Sequence, residues 1–258
     1  MTAPARPSPR VVRLATVEST QAVAWRLAAE GSPDRTVVVA DHQSAGRGRR
    51  GRAWTAAPGT SLLASILVRP RAPLALWPAF SPTTAVATAE ALSRITGLRP
   101  RLKWPNDVLA GGRKLGGILV ESRGGSGDPV LIVGVGINLA QRGFPLELGG
   151  GATSVALETG QAPGRDAVLA ALLDEFDAWR ARLEAEGFKP VRERWLALAE
   201  TIGQTVTIEG VTGLAVGLDA DGALLVEDAG GIRRVVAGAI ESSARGSRGR
   251  RVTDAPRR

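Results

Sequence analysis

Gly46-Arg47-Gly48-Arg49-Arg50-Gly51-Arg52-Ala53-Trp54 follows a short apolar run, Thr36 to Ala40, that reads as a buried strand. Its glycines match G-x-G-x-x-G, the pattern in which a strand-to-helix turn holds a dinucleotide. The context argues against that use, because the residues after Gly51 do not open an amphipathic helix. Nor does any acid lie between Asp41 and Glu90 to hold a ribose hydroxyl. What remains is a loop in which glycine lets the backbone approach a ligand and arginine supplies charge. Arg47, Arg49, Arg50 and Arg52 repel one another, and an anionic ligand removes that repulsion through charge-assisted hydrogen bonds of roughly 1.5–3 kcal/mol each. A solvated basic loop is the plainer alternative, but it has no need of glycine at alternate positions.

Working outward, Ser19-Thr20 precede a helical run from Ala22 to Ala29 that stops at Gly31, a capped helix. Beyond the loop, Ser61 to Val68 reads as a strand, and Ser81-Pro82 opens a helix that reaches about Thr96 and stops at Gly97. Residues 101–104, 114–122 and 130–138 read as neighbouring antiparallel strands. They are separated by Pro105-Asn106-Asp107, Gly111-Gly112 and the turn from Gly124 to Asp128. On this reading Lys103 and Lys114 stand on adjacent strands, Lys103 in Lys103-Trp104-Pro105-Asn106-Asp107 and Lys114 in Lys114-Leu115-Gly116-Gly117-Ile118. Such a pair could bracket a phosphate and a carboxylate; a plain hairpin with an edge lysine is the alternative. Gly134-Val135-Gly136-Ile137-Asn138 again puts glycines where a ligand or backbone approaches. Two helices follow between Arg165 and Glu200. Four short strands near 205–209, 213–218, 223–227 and 232–237 then suggest a small β-barrel-like domain.

The 258 residues fit one large domain plus a small one. No cysteine is present and His42 is the sole histidine, which excludes disulfides, thiolate metal sites, Cys nucleophiles and most His-based triads. No apolar run approaches the roughly 20 residues of a membrane span, and the N-terminus lacks an apolar leader region, so a cytoplasmic protein is expected. The net charge of +8 resolves into +3 from residues 1–13 and +5 from residues 245–258, leaving residues 14–244 neutral. A nucleic-acid-binding module acting through arginine tails is therefore a reading from a different class. Against 30 arginines the chain has only three lysines, Lys103, Lys114 and Lys189, which draws attention to positions needing a compact ammonium.

Taken in order and spacing, Ser19-Thr20, the loop from Gly46 to Trp54, the motif from Lys103 to Asp107, the run from Lys114 to Glu121 and the run from Gly134 to Leu139 resemble the biotin-protein ligase family (biotin-[acetyl-CoA-carboxylase] ligase). The resemblance covers roughly residues 14–240. It implies an α+β fold: a mixed-sheet catalytic domain of the biotin/lipoate ligase type with a small C-terminal SH3-like β-barrel. The expected division is 1–13 disordered basic tail, 14–202 catalytic domain, 203–244 SH3-like domain and 245–258 disordered basic tail. Without the DNA-binding domain of the family's repressor members, a monofunctional ligase is expected, with no specific DNA binding and no membrane, as a monomer or weak homodimer.

The implied reaction uses biotin, ATP and Mg2+ to form biotinyl-5'-AMP, then transfers biotin to a lysine of a biotin carboxyl carrier domain of acyl-CoA carboxylases. A lipoate or octanoate ligase or transferase of the same superfold is the near alternative. Lys114, Arg47 and Arg49 are the implied catalytic residues, Lys114 contacting both the biotin carboxylate and the α-phosphate. Biotin binding is implied for Ser19, Thr20, Gln21, Gln43, Gly46, Arg47, Gly48, Arg49, Lys114, Gly116 and Gly117. ATP or adenylate binding is implied for Arg49, Arg50, Arg52, Trp54, Lys103, Asn106, Lys114 and Asn138, and Mg2+ for Asp107 and Asn138. Two positions depart from the family pattern. Gln21 stands where the family usually has Asn, and Ala239 where it often has an acid.

Overall fold

The computed structural model describes residues 9–123, 129–145 and 150–240, and the backbone of 242–245. Seven strands, β1 (Val11–Val17), β2 (Val37–Gln43), β3 (Ser61–Val68), β4 (Arg101–Lys103), β5 (Asp107–Ala110), β6 (Arg113–Arg123) and β7 (Val130–Asn138), form one sheet in the order β1-β2-β3-β7-β6-β5-β4. β1 and β2 pair in parallel, joined by the crossover helix α1 (Thr20–Ala29). The other pairs are antiparallel, so the sheet is mixed, as expected.

Side chains alternate across each strand, and both faces of the sheet are covered. Val37, Val39, Leu62, Ile66, Leu131 and Val133 point to one face, where they join a large core with α2 (Phe80–Thr96) and α4 (Arg165–Glu186). Val38, Leu67, Val130 and Ile132 point to the other and pack with Ala24 and Trp25 of α1. Continuous burial of β3, which has no exposed position, follows from its place at the centre. Arg180 of α4 is buried and ties the helix to the start of β2: it donates to Asp34 at 2.9 Å, to Glu184 at 2.9 Å and to the Arg69 carbonyl at 2.8 Å. Burial works against its charge, but Asp34 and Glu184 outweigh burial and raise the guanidinium pKa.

The chain continues through α3 (Val155–Thr159) and α5 (Lys189–Leu198) into a second sheet, made of β8 (Gln204–Ile208), β9 (Val211–Leu218), β10 (Leu224–Asp228), β11 (Gly231–Val235) and β12 (Ser242–Arg245). These run antiparallel in the order β11-β10-β9-β8-β12, the small C-terminal β-domain that was expected. The large core does not stop at its border, since Val206, Ile208, Leu218, Leu224 and Val226 belong to it. The Trp104 indole N–H also donates to the Gly222 carbonyl at 3.2 Å. Among the described residues no helix is long and apolar enough to cross a membrane.

Several expectations change. Val11, Val12 and Arg13, placed in the basic tail, open β1; edge pairing with Val37, Val38 and Val39 uses their backbone whatever their charge. Residues 1–8 and 246–258 of the expected tails lie outside the described residues, while Arg245, assigned to the second tail, ends β12. β4 and β6 are not adjacent, because β5 lies between them: the chain reverses at Pro105-Asn106 and again at Gly111-Gly112. Lys103 and Lys114 are therefore two strands apart. Ser19 holds the N-cap position of α1 with no side-chain capping bond. The cap is supplied from β2, where Gln43 Oε1 accepts from the Thr20 amide at 2.7 Å and from the Thr20 hydroxyl at 3.0 Å.

Candidate active site

On β7 the odd positions Leu131, Val133, Val135 and Ile137 fill the large core. Alternation therefore turns Gly134, Gly136 and Asn138 to the opposite face, beyond the N-terminus of α1. Gly136 pairs with Gly117 of β6, so two neighbouring positions lack side chains and leave a glycine trough, bordered on the β3 side by Leu63. A cavity of about 380 Å³ lies over it, walled by α1, the Arg/Gly loop, the turn between β4 and β5, and Gly238, Ala239 and Ile240 of the C-terminal domain.

Most of the expected site residues meet here. Ser19, Thr20, Gln21, Gln43, Arg47, Gly48, Arg49, Arg50, Arg52, Trp54, Lys103, Asn106, Asp107, Lys114, Gly117 and Asn138 all line the cavity. Gly46 and Gly116 do not, and their part is structural. A Cβ on Gly46 would stand 2.3 Å from the Trp54 carbonyl, against which the loop closes with Trp54 N to Gly46 O at 2.9 Å. Gly116 backs onto the Gly136 carbonyl. His42 is absent from the lining.

Two chemical regions share the cavity. At the α1 end the groups are polar and buried: Ser19, Thr20 and Gln21 are each under 5% exposed. Ser65 donates to the Thr20 hydroxyl at 2.8 Å, and the Gln21 amide nitrogen reaches the Leu119 carbonyl at 3.4 Å. Ser19 Oγ and Gln21 Oε1 have no hydrogen-bond partner among the described residues. Buried polar atoms left without partners cost roughly 1–3 kcal/mol each, so they mark places where a polar ligand group belongs.

The other end is cationic. Lys114 Nζ lies 2.6 Å from Asp107 Oδ1 and 5.8 Å from the centroid of the Trp54 ring. The Lys114 backbone is held on both sides, its amide donating to the Gly151 carbonyl and its carbonyl accepting from Thr153, each at 2.8 Å. Asn106 brings Asp107 to this place: its amide donates to the Ile118 carbonyl at 2.6 Å, and the Ile118 amide donates back at 3.0 Å. Burial lowers the Arg49 guanidinium pKa from its usual value, Asp107 opposes that and neighbouring Arg50 adds to it. Arg47 reaches Glu121 at 3.6 Å, and Arg50 pairs with Glu209. Arg47, Arg49 and Arg50 are thus turned to three different acids.

The Trp54 indole lies against the glycine trough. A Cβ on Gly136 would stand 2.7 Å from its Cε2, and one on Gly117 would stand 3.3 Å from its Cζ3. Its Nε1 is buried without a hydrogen-bond partner among the described residues. The wall contains residues that motif reading did not single out as site residues, among them Leu63, Trp104, Ala152 and Ala239. Trp104 lies within a recognised motif and Ala239 stands at a departure from the family pattern, whereas Leu63 and Ala152 carry no chemical signal and are brought in by chain folding alone.

Comparison with known proteins agrees with this arrangement. Residues 14–138 match the model of the Biotin/lipoate A/B protein ligase family, and residues 201–241 match the Biotin protein ligase C terminal domain. The chain is 38% identical over 233 residues to the biotin--[acetyl-CoA-carboxylase] ligase of Paracoccus denitrificans, covering 86% of this chain and 96% of that one. It is 36% identical to the bifunctional ligase/repressor BirA of Bacillus subtilis, covering 87% of this chain and 71% of the relative. The biotin protein ligase from Aquifex aeolicus, solved in complex with biotin and ATP, superposes with a TM-score of 0.79 at 32% identity, covering 92% of this chain and 99% of that one. By fold, by both matched regions and by relatives of nearly full length, the chain belongs to the biotin/lipoate A/B protein ligase family.

Proposed function

We propose that this chain is an ATP-dependent biotin-protein ligase of the biotin-[acetyl-CoA-carboxylase] type. The carboxylate of biotin attacks the α-phosphorus of ATP, an acyl-phosphate bond forms, and the bond to the β-phosphate breaks with release of pyrophosphate. The ε-amine of an acceptor lysine in a carboxylase carrier domain then attacks the acyl carbon, AMP leaves and an amide remains. Neither step needs a nucleophilic side chain, which accords with a chain lacking cysteine.

The juxtaposition at Lys114 carries this reading. In the first step two anions approach each other, and a fixed cation between them stabilises the charge that builds in the transition state. Lys114 meets that requirement, with its backbone clamped and its ammonium beside Asp107 and the Trp54 ring, while the same Asp107 acts on the Arg49 guanidinium. In the free chain the Asp107 carboxylate stands where an anion is stabilised. A ligand carboxylate or phosphate takes over that partnership. The polar end supports biotin in particular: its ureido ring offers the donors and acceptor that Ser19 Oγ and Gln21 Oε1 lack. Arg49 is suited to the α-phosphate and Arg47 to the mouth of the cavity.

Mg2+ would supply charge neutralisation on the ATP phosphates. Asp107 and the carbonyl oxygen of Asn138, whose amide nitrogen is committed to the Thr153 carbonyl at 3.0 Å, are one carboxylate and one neutral oxygen lining the same cavity. That set suits an ion that takes most of its ligands from water and substrate phosphates. The partner this reading requires is a biotin carboxyl carrier domain, and ATP as co-substrate fits action in the cytoplasm.

The test is exchange of labelled pyrophosphate into ATP with biotin, lipoate or octanoate as the acid, followed by transfer to a carrier domain read by avidin blot. Exchange with biotin and Mg2+ is expected. Exchange with lipoate or octanoate and none with biotin would overturn the reading.

A further inference from the structure

Among the described residues, three other than glycine have left-handed backbone: Arg35, Arg50 and Glu209. Such a conformation is costly for a residue with a Cβ and persists where surrounding structure holds it. Arg35 is held by Asp177, to which its Nε donates at 3.0 Å. The other two pair with each other: Arg50, at φ 58° in the tip of the Arg/Gly loop, donates to Glu209, at φ 49° in the two-residue hairpin turn Glu209-Gly210 between β8 and β9, a turn that itself calls for positive φ at both positions. Two turns that lie 159 residues apart thus each take a strained shape, and the shape brings one charge from each into a single ion pair.

The carboxylate is placed from below. Glu209 Cγ lies 3.0 Å from where a Cβ on Gly238 would be, so that the stem rests on the segment whose Gly238, Ala239 and Ile240 form the C-terminal wall of the cavity. Ala239 brings no charge to that wall. Arg49 feels Asp107 within the site and Arg47 faces Glu121 on β6, while Arg50 alone among these ties the loop to the C-terminal domain.

We infer that Glu209 is a positioning residue: by holding Arg50 it keeps the Arg/Gly loop seated over the cavity, so that the C-terminal domain sets how long an acyl-adenylate is retained. The retention part rests on the proposed ligase reaction; the seating of the loop does not. The pair is about half exposed, 52% and 48%, so its effect is that of a surface ion pair, about two- to fivefold in the loop's closing equilibrium.

The test uses the full chain with Glu209→Gln, Glu209→Gly and the exchanged pair Arg50→Glu with Glu209→Arg. Limited trypsin digestion of the free protein, with cleavage after Arg47, Arg49, Arg50 and Arg52 mapped by mass spectrometry, reads the loop without any reaction. Cleavage is expected two- to fivefold faster in both single variants. Escape of labelled biotinyl-adenylate is expected to rise by the same factor, with ATP KM moving more than kcat. Glycine suits the left-handed turn, so Glu209→Gly keeps or raises the melting temperature while loosening the loop; a merely structural role gives the reverse. With Glu209→Arg added as a control, the exchanged pair should be cleaved after Arg47, Arg49 and Arg52 more slowly than that control; proteolysis is the readout for this comparison because Arg50 itself lines the cavity. Wild-type cleavage rates in both single variants, or loosening only in step with a lowered melting temperature, or an exchanged pair cleaved no more slowly than Glu209→Arg, would overturn the inference. A wild-type chain that forms no adenylate, but whose loop loosens in the variants, refutes the ligase reading and leaves the seating role established.

Discussion

Gly136→Ala tests whether the glycine trough is the floor of a ligand site. The backbone at Gly136 is ordinary extended strand, paired with Gly117 and Leu63, so alanine brings no conformational penalty there. Alanine recovers about 0.5–1 kcal/mol that glycine loses in a strand interior. The cost comes from what the methyl meets: Trp54 Cε2 at 2.7 Å and Cζ2 at 2.8 Å, where ordinary contact begins near 3.4 Å. The indole must withdraw by about 0.7 Å or more, and a ligand lying on the same floor meets the same obstruction. Overpacking of this kind costs about 1–3 kcal/mol. Because Trp54 belongs to a loop and not to the core, that cost falls on loop closure and ligand binding. The expected result is a biotin affinity weakened by about 5- to 150-fold, with a melting temperature unchanged or slightly raised. Calorimetric titration with biotin measures the first and a thermal melt the second. Biotin bound within twofold of wild type, with Trp54 fluorescence unaltered, would refute the reasoning.

Replacing the central cation, Lys114→Met keeps an unbranched side chain of nearly the same length and removes the charge; kcat for biotin-dependent pyrophosphate exchange is expected to fall about 10²- to 10³-fold, with the fold intact by circular dichroism. Asp34→Asn leaves the buried Arg180 with Glu184 as its remaining carboxylate, and denaturant titration should show a loss of about 2 kcal/mol; an unchanged midpoint would mean that the network contributes nothing net. In the C-terminal domain, the Ala223 amide and then Arg234 hold the Asp221 carboxyl below its ordinary range. A lowered folded-state pKa contributes stability above the unfolded value, about pH 4, and loses it as the pH falls through the folded value. Asp221→Asn should therefore be less stable than wild type at pH 7, by under about 1 kcal/mol given its half-exposed position, and the gap should close in acid; a gap that persists at pH 2 would contradict this.

Features set by nearest neighbours along the chain were legible before the structure. Gly97 does terminate α2 in a left-handed conformation, and Ser61–Val68 is a strand with the bounds expected of it. Failures occurred where an element is short or its character is set from outside. β5 has four residues caught between two turns, and α3 has five, too few for periodicity to register. β1 lies at the edge of the sheet and carries one charged residue, Arg13, which continues the arginine spacing of the preceding tail. At the site, the motif residues largely converge as the spacing suggested. At the start of α1, Ser19 makes no side-chain cap bond, and the first helical amide, that of Thr20, is satisfied by Gln43, 23 residues away, a partner no local reading reaches.

Sequence by itself determined the chemistry: which side chains carry charge, that no thiol can act as nucleophile, and that the glycines at 134 and 136, two apart, fall on one face of a strand. Alternation and turn residues are local properties, and a linear reading reaches them. Tertiary structure alone decided how the charges are shared. The loop arginines are distributed among Glu121, Asp107 and Glu209, acids that come from three distant segments. Lys114 is presented beside Asp107 because β5 intervenes between β4 and β6. Coulombic partnership depends on separation in space, and nothing in the order of residues specifies that separation until the sheet has closed.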